Sequence, residues 1–164
     1  MIEYEYNFKV DDVAPFIDYC ESQGYELLSR ETQNRVVYEC ESNRNIISRI
    51  TKSIVAGETR TVWDFKNADN KSTRLKESIE SKEMQIDGCR EIAESMLFIM
   101  RFEKTADNTR DRVVYKKDNV IFEIDKYISP KMNVVAIEGD KVSVDNLCTL
   151  ITNDMGLKSH ILDC

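Results

Sequence analysis

Glu3 and Glu5 stand two residues apart in the opening stretch 1–9, MIEYEYNFK. An extended chain alternates its side chains between two faces, so Glu3, Glu5, Asn7 and Lys9 share one face and Ile2, Tyr4, Tyr6 and Phe8 the other. Two carboxylates on one face repel each other and need a compensating cation, either a divalent metal or basic side chains. Taken alone, these nine residues also fit a strand whose polar face meets water. The chemistry depends on whether later strands repeat the charged alternation.

They do. Arg49 alternates with Ile50 in 45–53, Asp64 and Lys66 with Trp63 and Phe65 in 61–66, and Arg74, Lys76 and Glu80 with Leu75 and Ile79 in 73–82. Further on, Arg110 and Arg112 alternate with Val113 and Tyr115, Glu123 and Asp125 with Phe122 and Ile124, and Glu138 with Ile137. About eight antiparallel strands closing on themselves would turn these charges inward and the apolar faces outward, beneath covering helices. The expected fold class is α+β, a closed antiparallel β-tunnel with a few helices. Burying so many charges is costly unless they pair or meet a ligand of opposite character. A polyphosphate with a divalent cation suits both halves, since Arg and Lys bind phosphoryl oxygens and clustered Glu holds Mg²⁺ or Mn²⁺. The metal polarises the phosphoryl group and orients a water or hydroxyl for in-line attack. Neither GxxxxGK[ST] nor GxGxxG occurs, so side chains must bind the phosphates.

The elements that position these residues follow from periodicity. A helix is expected over 12–23, with Val13, Phe16, Ile17 and Cys20 at helical spacing, an Asp11 or Asp12 cap and a Gly24 stop. Strands are expected over 26–29 and 35–41 as a hairpin, then over 45–53, 61–66 and 73–82. A second helix starts at Asp87 and carries Ile92, Ala93, Met96 and Leu97. An extended segment over 98–104 precedes a polar turn at 106–109. The Asp118-Asn119 turn makes 110–117 and 120–127 a hairpin, and another strand covers 134–139. Ser143 caps a last helix that Gly156 closes, and 157–164 reads as a short strand.

At 164 residues the chain is read as one domain, 1–164, able to bury a core without staples. A formal net charge of -7 argues against general nucleic-acid binding. Five widely spaced cysteines with no CxxC pair point to reduced thiols in a cytoplasmic setting. The single His160 lacks a partner motif, and no basic leader or long apolar run suggests a signal peptide or a membrane partner.

The order of Ile2-Glu-Tyr-Glu5, a helix ending at Gly24, Ser48-Arg-Ile50, a strand ending at Lys66, Arg110 with Arg112, Phe122-Glu-Ile-Asp125 and Ile137-Glu-Gly139 resembles the CYTH family. These are the triphosphate tunnel metalloenzymes, which include class IV adenylate cyclases and thiamine- and inorganic triphosphatases. Glu3 and Glu5 match the first two positions of the family's ExExK; the Lys falls on Asn7, with Lys9 one step further on the same face. Arg49 matches the first Arg of an LRIR-like strand, and the second falls on Thr51. Lys66 matches the Lys of the fourth strand, Arg110 or Arg112 the later basic strand, and Asp125 the acidic residue after it. The C-terminal ExE is reduced to Ala136 and Glu138. The resemblance implies metal ligands at Glu3, Glu5, Asp125 and Glu138. It implies substrate contacts at Lys9, Arg49, Lys66, Arg74, Lys76, Arg110 and Arg112, and catalytic work by Glu5, Lys9 and Arg49.

The expected function is metal-dependent hydrolysis of a triphosphate-containing substrate, a nucleoside triphosphate or tripolyphosphate. Hydrolysis asks less of the site than positioning a ribose 3′-hydroxyl for cyclisation. The alternatives are a tunnel that captures a nucleotide or phosphorylated signal without turnover, motivated by Asn7, Thr51 and Ala136, and a class IV cyclase. Association into a homodimer is left open.

Overall fold

The computed structural model describes residues 2–68 and 74–162. Its elements run β1 (Ile2–Val10), α1 (Ala14–Ser22), β2 (Glu26–Cys40), β3 (Asn43–Val55), β4 (Glu58–Asn67), β5 (Lys76–Glu80), β6 (Met84–Gln85) and α2 (Arg90–Ile99). They continue with β7 (Phe102–Lys117), β8 (Val120–Tyr127), β9 (Met132–Gly139), α3 (Lys141–Asn153) and α4 (Met155–Lys158). The antiparallel order β3-β2-β7-β8-β9-β1-β5-β4 closes through β3–β4 pairing into an eight-stranded barrel, and β6 continues the β5 stave along β4. Closure removes the sheet edges that would otherwise invite aggregation.

The barrel is apolar outside. Phe8, Phe122, Ile124, Val135 and Ile137 project outward and pack with Phe16 and Cys20 of α1, Leu147 and Ile151 of α3, and Leu157 and Ile161. A second cluster sets Ile50 and Trp63 against Ala93 and Leu97 of α2. Burial of these side chains, about 1.5–3 kcal/mol each, favours the inside-out arrangement that turns the charged faces inward. The indole of Trp63 donates to Ser48 Oγ at 2.6 Å, and that hydroxyl donates to the Asp64 carbonyl at 3.1 Å. This pins β3 to β4 beside the cavity. Among the described residues, no helix is long and apolar enough to cross a membrane.

Several boundaries differ from the periodicity. β2 is one strand of 15 residues, not a hairpin over 26–29 and 35–41, because Glu31 and Gln33 face a polar interior. β7 likewise runs through the expected turn at 106–109, which pairs with β2 from Asn34 to Val37. In both places a polar run that signals a turn at a protein surface is a strand segment in a barrel with a polar lumen. The hairpin partner of β2 is β3. Asp87 accepts the Thr61 N–H at 2.8 Å and does not start α2. Asp140, accepting from Ser143 N–H at 2.9 Å, caps α3 in place of Ser143. The expected last strand is largely a helical turn, with only Ile161 bridging to Val10, while residues 163 and 164 lie outside the described residues.

Gly139 ends β9 next to Glu138 and pairs with Val120 and Tyr4. A Cβ there would overlap the Asn119 carbonyl oxygen, so the 118–119 turn would have to shift. Gly139→Ala is expected to cost about 1–3 kcal/mol of stability by overpacking, read by urea unfolding. An unchanged midpoint would mean the turn yields freely.

Candidate active site

The barrel encloses a cavity of about 830 Å³ into which every full stave sends alternate side chains. β1 contributes Glu3, Glu5 and Asn7, and β9 contributes Ala136 and Glu138. Glu5 pairs in register with Glu138, so the two carboxylates project side by side from adjacent strands. Glu3 lies one alternation along. One oxygen from each of Glu3, Glu5 and Glu138 lies within 4.8 Å of the other two.

Three carboxylates this close cannot all ionise cheaply in a low-dielectric enclosure. Burial, with neighbouring Glu123, Glu3 and Glu5, pushes Glu138 up to about 9. Burial also raises Glu3 to about 7, against the opposing pull of Lys66. Lys66 Nζ lies 3.3 Å from Glu3, 3.5 Å from Glu5 and 3.0 Å from Glu80. Burial works against its charge, yet Glu5, Glu3 and Glu80 together hold its pKa above the ordinary lysine value. Hard oxygen donors grouped in this way fit a divalent cation.

The rest of the wall is a set of ion pairs. Arg49 makes a bidentate contact to Asp64 at 2.9 and 2.6 Å and reaches Glu80 at 3.2 Å. Arg112 donates two bonds to Asp125 at 2.7 and 2.8 Å, and its third nitrogen lies 2.6 Å from Glu123. Burial disfavours both guanidinium charges, but these carboxylates more than offset it. Arg110 donates to Gln33 Oε1 at 3.0 and 2.9 Å and to the Tyr127 hydroxyl at 2.8 Å, and lies 3.4 Å from Asp125. Lys76, half exposed at the cavity wall, approaches Glu5 at 4.0 Å. Arg35 extends from β2 and donates through Nε to Thr51 Oγ1 at 3.0 Å.

The structure brings Glu3, Glu5, Glu138, Arg49, Lys66, Lys76, Arg110 and Arg112 to one cavity. Two expected substrate contacts lie elsewhere. Lys9 is exposed and outside the cavity lining: Asn7 is the last lining residue of β1, and beyond it the Lys9 carbonyl accepts the Leu162 N–H. Arg74 precedes β5 and stacks its guanidinium 4.8 Å from the Phe8 ring centroid in the outer apolar layer. Asp125 does line the cavity, but both its oxygens accept from Arg112, and it does not join the carboxylate trio. Residues that went unrecognised in the sequence include Arg35, Glu31, Gln33 and Tyr127. The parity of 31, 33, 35 and 37 would have exposed the first group had 26–40 been read as one strand.

Among solved structures, a conserved hypothetical protein from Pyrococcus furiosus is 21% identical, with a TM-score of 0.74 over 98% of this chain and 94% of that one. A candidate adenylyl cyclase from Hippeastrum, described as having a dominant triphosphatase activity, is 15% identical, with a TM-score of 0.65 over 94% of this chain and 88% of that one. A candidate adenylate cyclase from Vibrio parahaemolyticus is 11% identical, with a TM-score of 0.64 over 100% and 94% of the two chains. No protein-family profile matches the chain, and no curated protein does. At these identities the likeness is one of fold.

Proposed function

We propose that this chain, which has the triphosphate tunnel fold, is a metal-dependent phosphohydrolase that cleaves a triphosphate-containing substrate, either a nucleoside triphosphate or inorganic tripolyphosphate. One observation carries the proposal: the Glu3, Glu5 and Glu138 oxygens cluster within 4.8 Å in the same cavity as Arg49, Lys66, Arg110 and Arg112. Carboxylates alone would repel a polyphosphate, and cations alone would bind one without activating it. The Hippeastrum protein, described as having triphosphatase activity, supports the same class of chemistry on this fold.

Glu3, Glu5 and Glu138 would hold Mg²⁺ or Mn²⁺, which supplies charge neutralisation at the phosphoryl oxygens. Burial and the neighbouring carboxylates raise Glu138 well above its ordinary value, so a cation held there would compete with a proton for its oxygens. Glu5 orients the attacking water. Lys66 stays anchored at Glu80 while turning from Glu3 and Glu5 to phosphoryl oxygens. Arg49 and Arg112 keep their bidentate carboxylate partners, which set the direction of the remaining guanidinium N–H groups before substrate enters. Such preorganised donors cost no reorganisation at the moment of reaction.

The test is release of phosphate or diphosphate from a panel of nucleoside triphosphates and tripolyphosphate with Mg²⁺ or Mn²⁺. Turnover that stops on chelation is the expected result. A second reading, capture without turnover, is favoured by Asn7, Thr51 and Ala136, which all line the cavity and present neutral groups to it. Ligand-induced thermal stabilisation that survives chelation, with no turnover under any condition, would establish capture instead. A cyclic nucleotide product in the same panel would identify a cyclase.

A further inference from the structure

We propose that Arg35 is the anion anchor of this tunnel: it takes hold of the phosphate chain of a triphosphate-class ligand before any divalent cation binds, standing in for a basic residue at Thr51 on the neighbouring strand. The proposal rests on the reading of the cavity as a triphosphate site and adds to it which side chain engages the ligand first.

Every other basic residue of the described cavity lining has a carboxylate within 4.0 Å, including Arg60, which lies 3.4 Å from Glu83. Arg35 is the exception among the described residues. Its side chain meets the Thr51 hydroxyl and no carboxylate, which leaves its two terminal nitrogens to the cavity. Burial, reinforced by Arg110, Arg49 and Arg112 and opposed more weakly by Glu123, lowers its pKa to about 9, the reverse of the shift at the paired arginines. Arg35 is a partly buried cation that touches no carboxylate and feels Glu123 only at longer range, so it sits among like charges at a cost that an anionic ligand removes. The planar guanidinium fork suits two phosphoryl oxygens at once.

Position adds to chemistry. Around the closed barrel, β2 is reached from β1 in four steps either way, through β9, β8 and β7 or through β5, β4 and β3. Arg35 therefore belongs to the wall opposite the Glu3 and Glu5 strand, and an extended polyanion suits both, held by Arg35 on one side and by a cation on the carboxylates on the other. Arg35 and Thr51 are also direct register partners, so an arginine at either position emerges into the same part of the lumen. That is how the neutral residue at position 51 can coexist with an anion site.

The experiment is calorimetric titration of tripolyphosphate into the full chain in excess chelator. The wild type is expected to bind, Arg35→Gln to weaken binding by at least about tenfold, and the exchange Arg35→Thr with Thr51→Arg to recover most of the loss. The ligand-free melting temperature of Arg35→Gln should equal or exceed that of the wild type, which separates a lost anchor from a lost fold. No binding by the wild type in chelator, or equal binding by Arg35→Gln, would overturn the proposal. Metal-dependent turnover with Arg35-independent binding refutes the anchor alone; Arg35-dependent binding without turnover refutes hydrolysis alone.

Discussion

Replacing Glu138 by glutamine is expected to stabilise the metal-free protein at alkaline pH while abolishing its response to Mg²⁺ and Mn²⁺. Folded Glu138 keeps its proton up to about 9, whereas in the unfolded chain it ionises near its ordinary 4.5. Between those values the folded state binds more protons, so stability falls as pH rises through that window and is insensitive to Glu138 below it. Glu3, raised to about 7, adds to the same slope over the lower part of the window. Glu138→Gln should flatten the fall in melting temperature between about pH 6 and about pH 8.5. In the wild type, a cation must displace the proton, so Mn²⁺ affinity should rise with pH by up to about tenfold per unit for each proton lost. Groups merely behind a metal ligand cost about 10–100-fold when removed, so losing one of three candidate ligands should lower turnover by at least about a hundredfold. Thermal melts at both pH values with Mn²⁺ titrations read all of this. An unaltered slope together with unaltered Mn²⁺ binding would remove Glu138 from the site.

Asp125→Ala is expected to do the opposite. Asp125 is almost fully buried and receives two bonds from Arg112, with Arg110 at 3.4 Å. Removing it leaves Arg112 with Glu123 alone and Arg110 with neutral partners, a broken buried pair that costs about 3 kcal/mol. Asp125 is not one of the trio and reaches Glu138 only through Arg112, so Mn²⁺ affinity should change by less than about tenfold. Urea unfolding and a Mn²⁺ titration on the same protein decide the matter. Intact stability with lost Mn²⁺ binding would restore Asp125 to the ligand set that the family resemblance implies.

These two carboxylates show where local pattern stops being informative. Glu138 and Asp125 both sit at inward positions of alternating strands, and the sequence alone places them on the same kind of face. What separates them is the residue in register on the adjacent strand: Glu5 beside Glu138, Arg112 beside Asp125. Register between β1 and β9 joins residues more than a hundred positions apart, and no local period carries it.

By itself, the sequence determined which faces are charged, because period-two alternation is written residue by residue in 2–8, 120–127 and 134–138. It also determined the helical stripe of α1, the presence of a last helix and the turn at Asp118-Asn119. Strand continuity was a different matter. Polar segments such as Glu31–Asn34 and Ala106–Thr109 read as turns until closure supplies a polar lumen for them to face. Parity also names a face without saying how far along the barrel a residue lies, so Lys9 and Arg74 share parity with cavity residues yet stand outside. Only the tertiary structure decided which charges neutralise one another and which are left over. Coulombic pairing depends on distances of a few ångströms between strands brought together by closure, and that closure left Arg35 facing the lumen with a hydroxyl in place of a carboxylate.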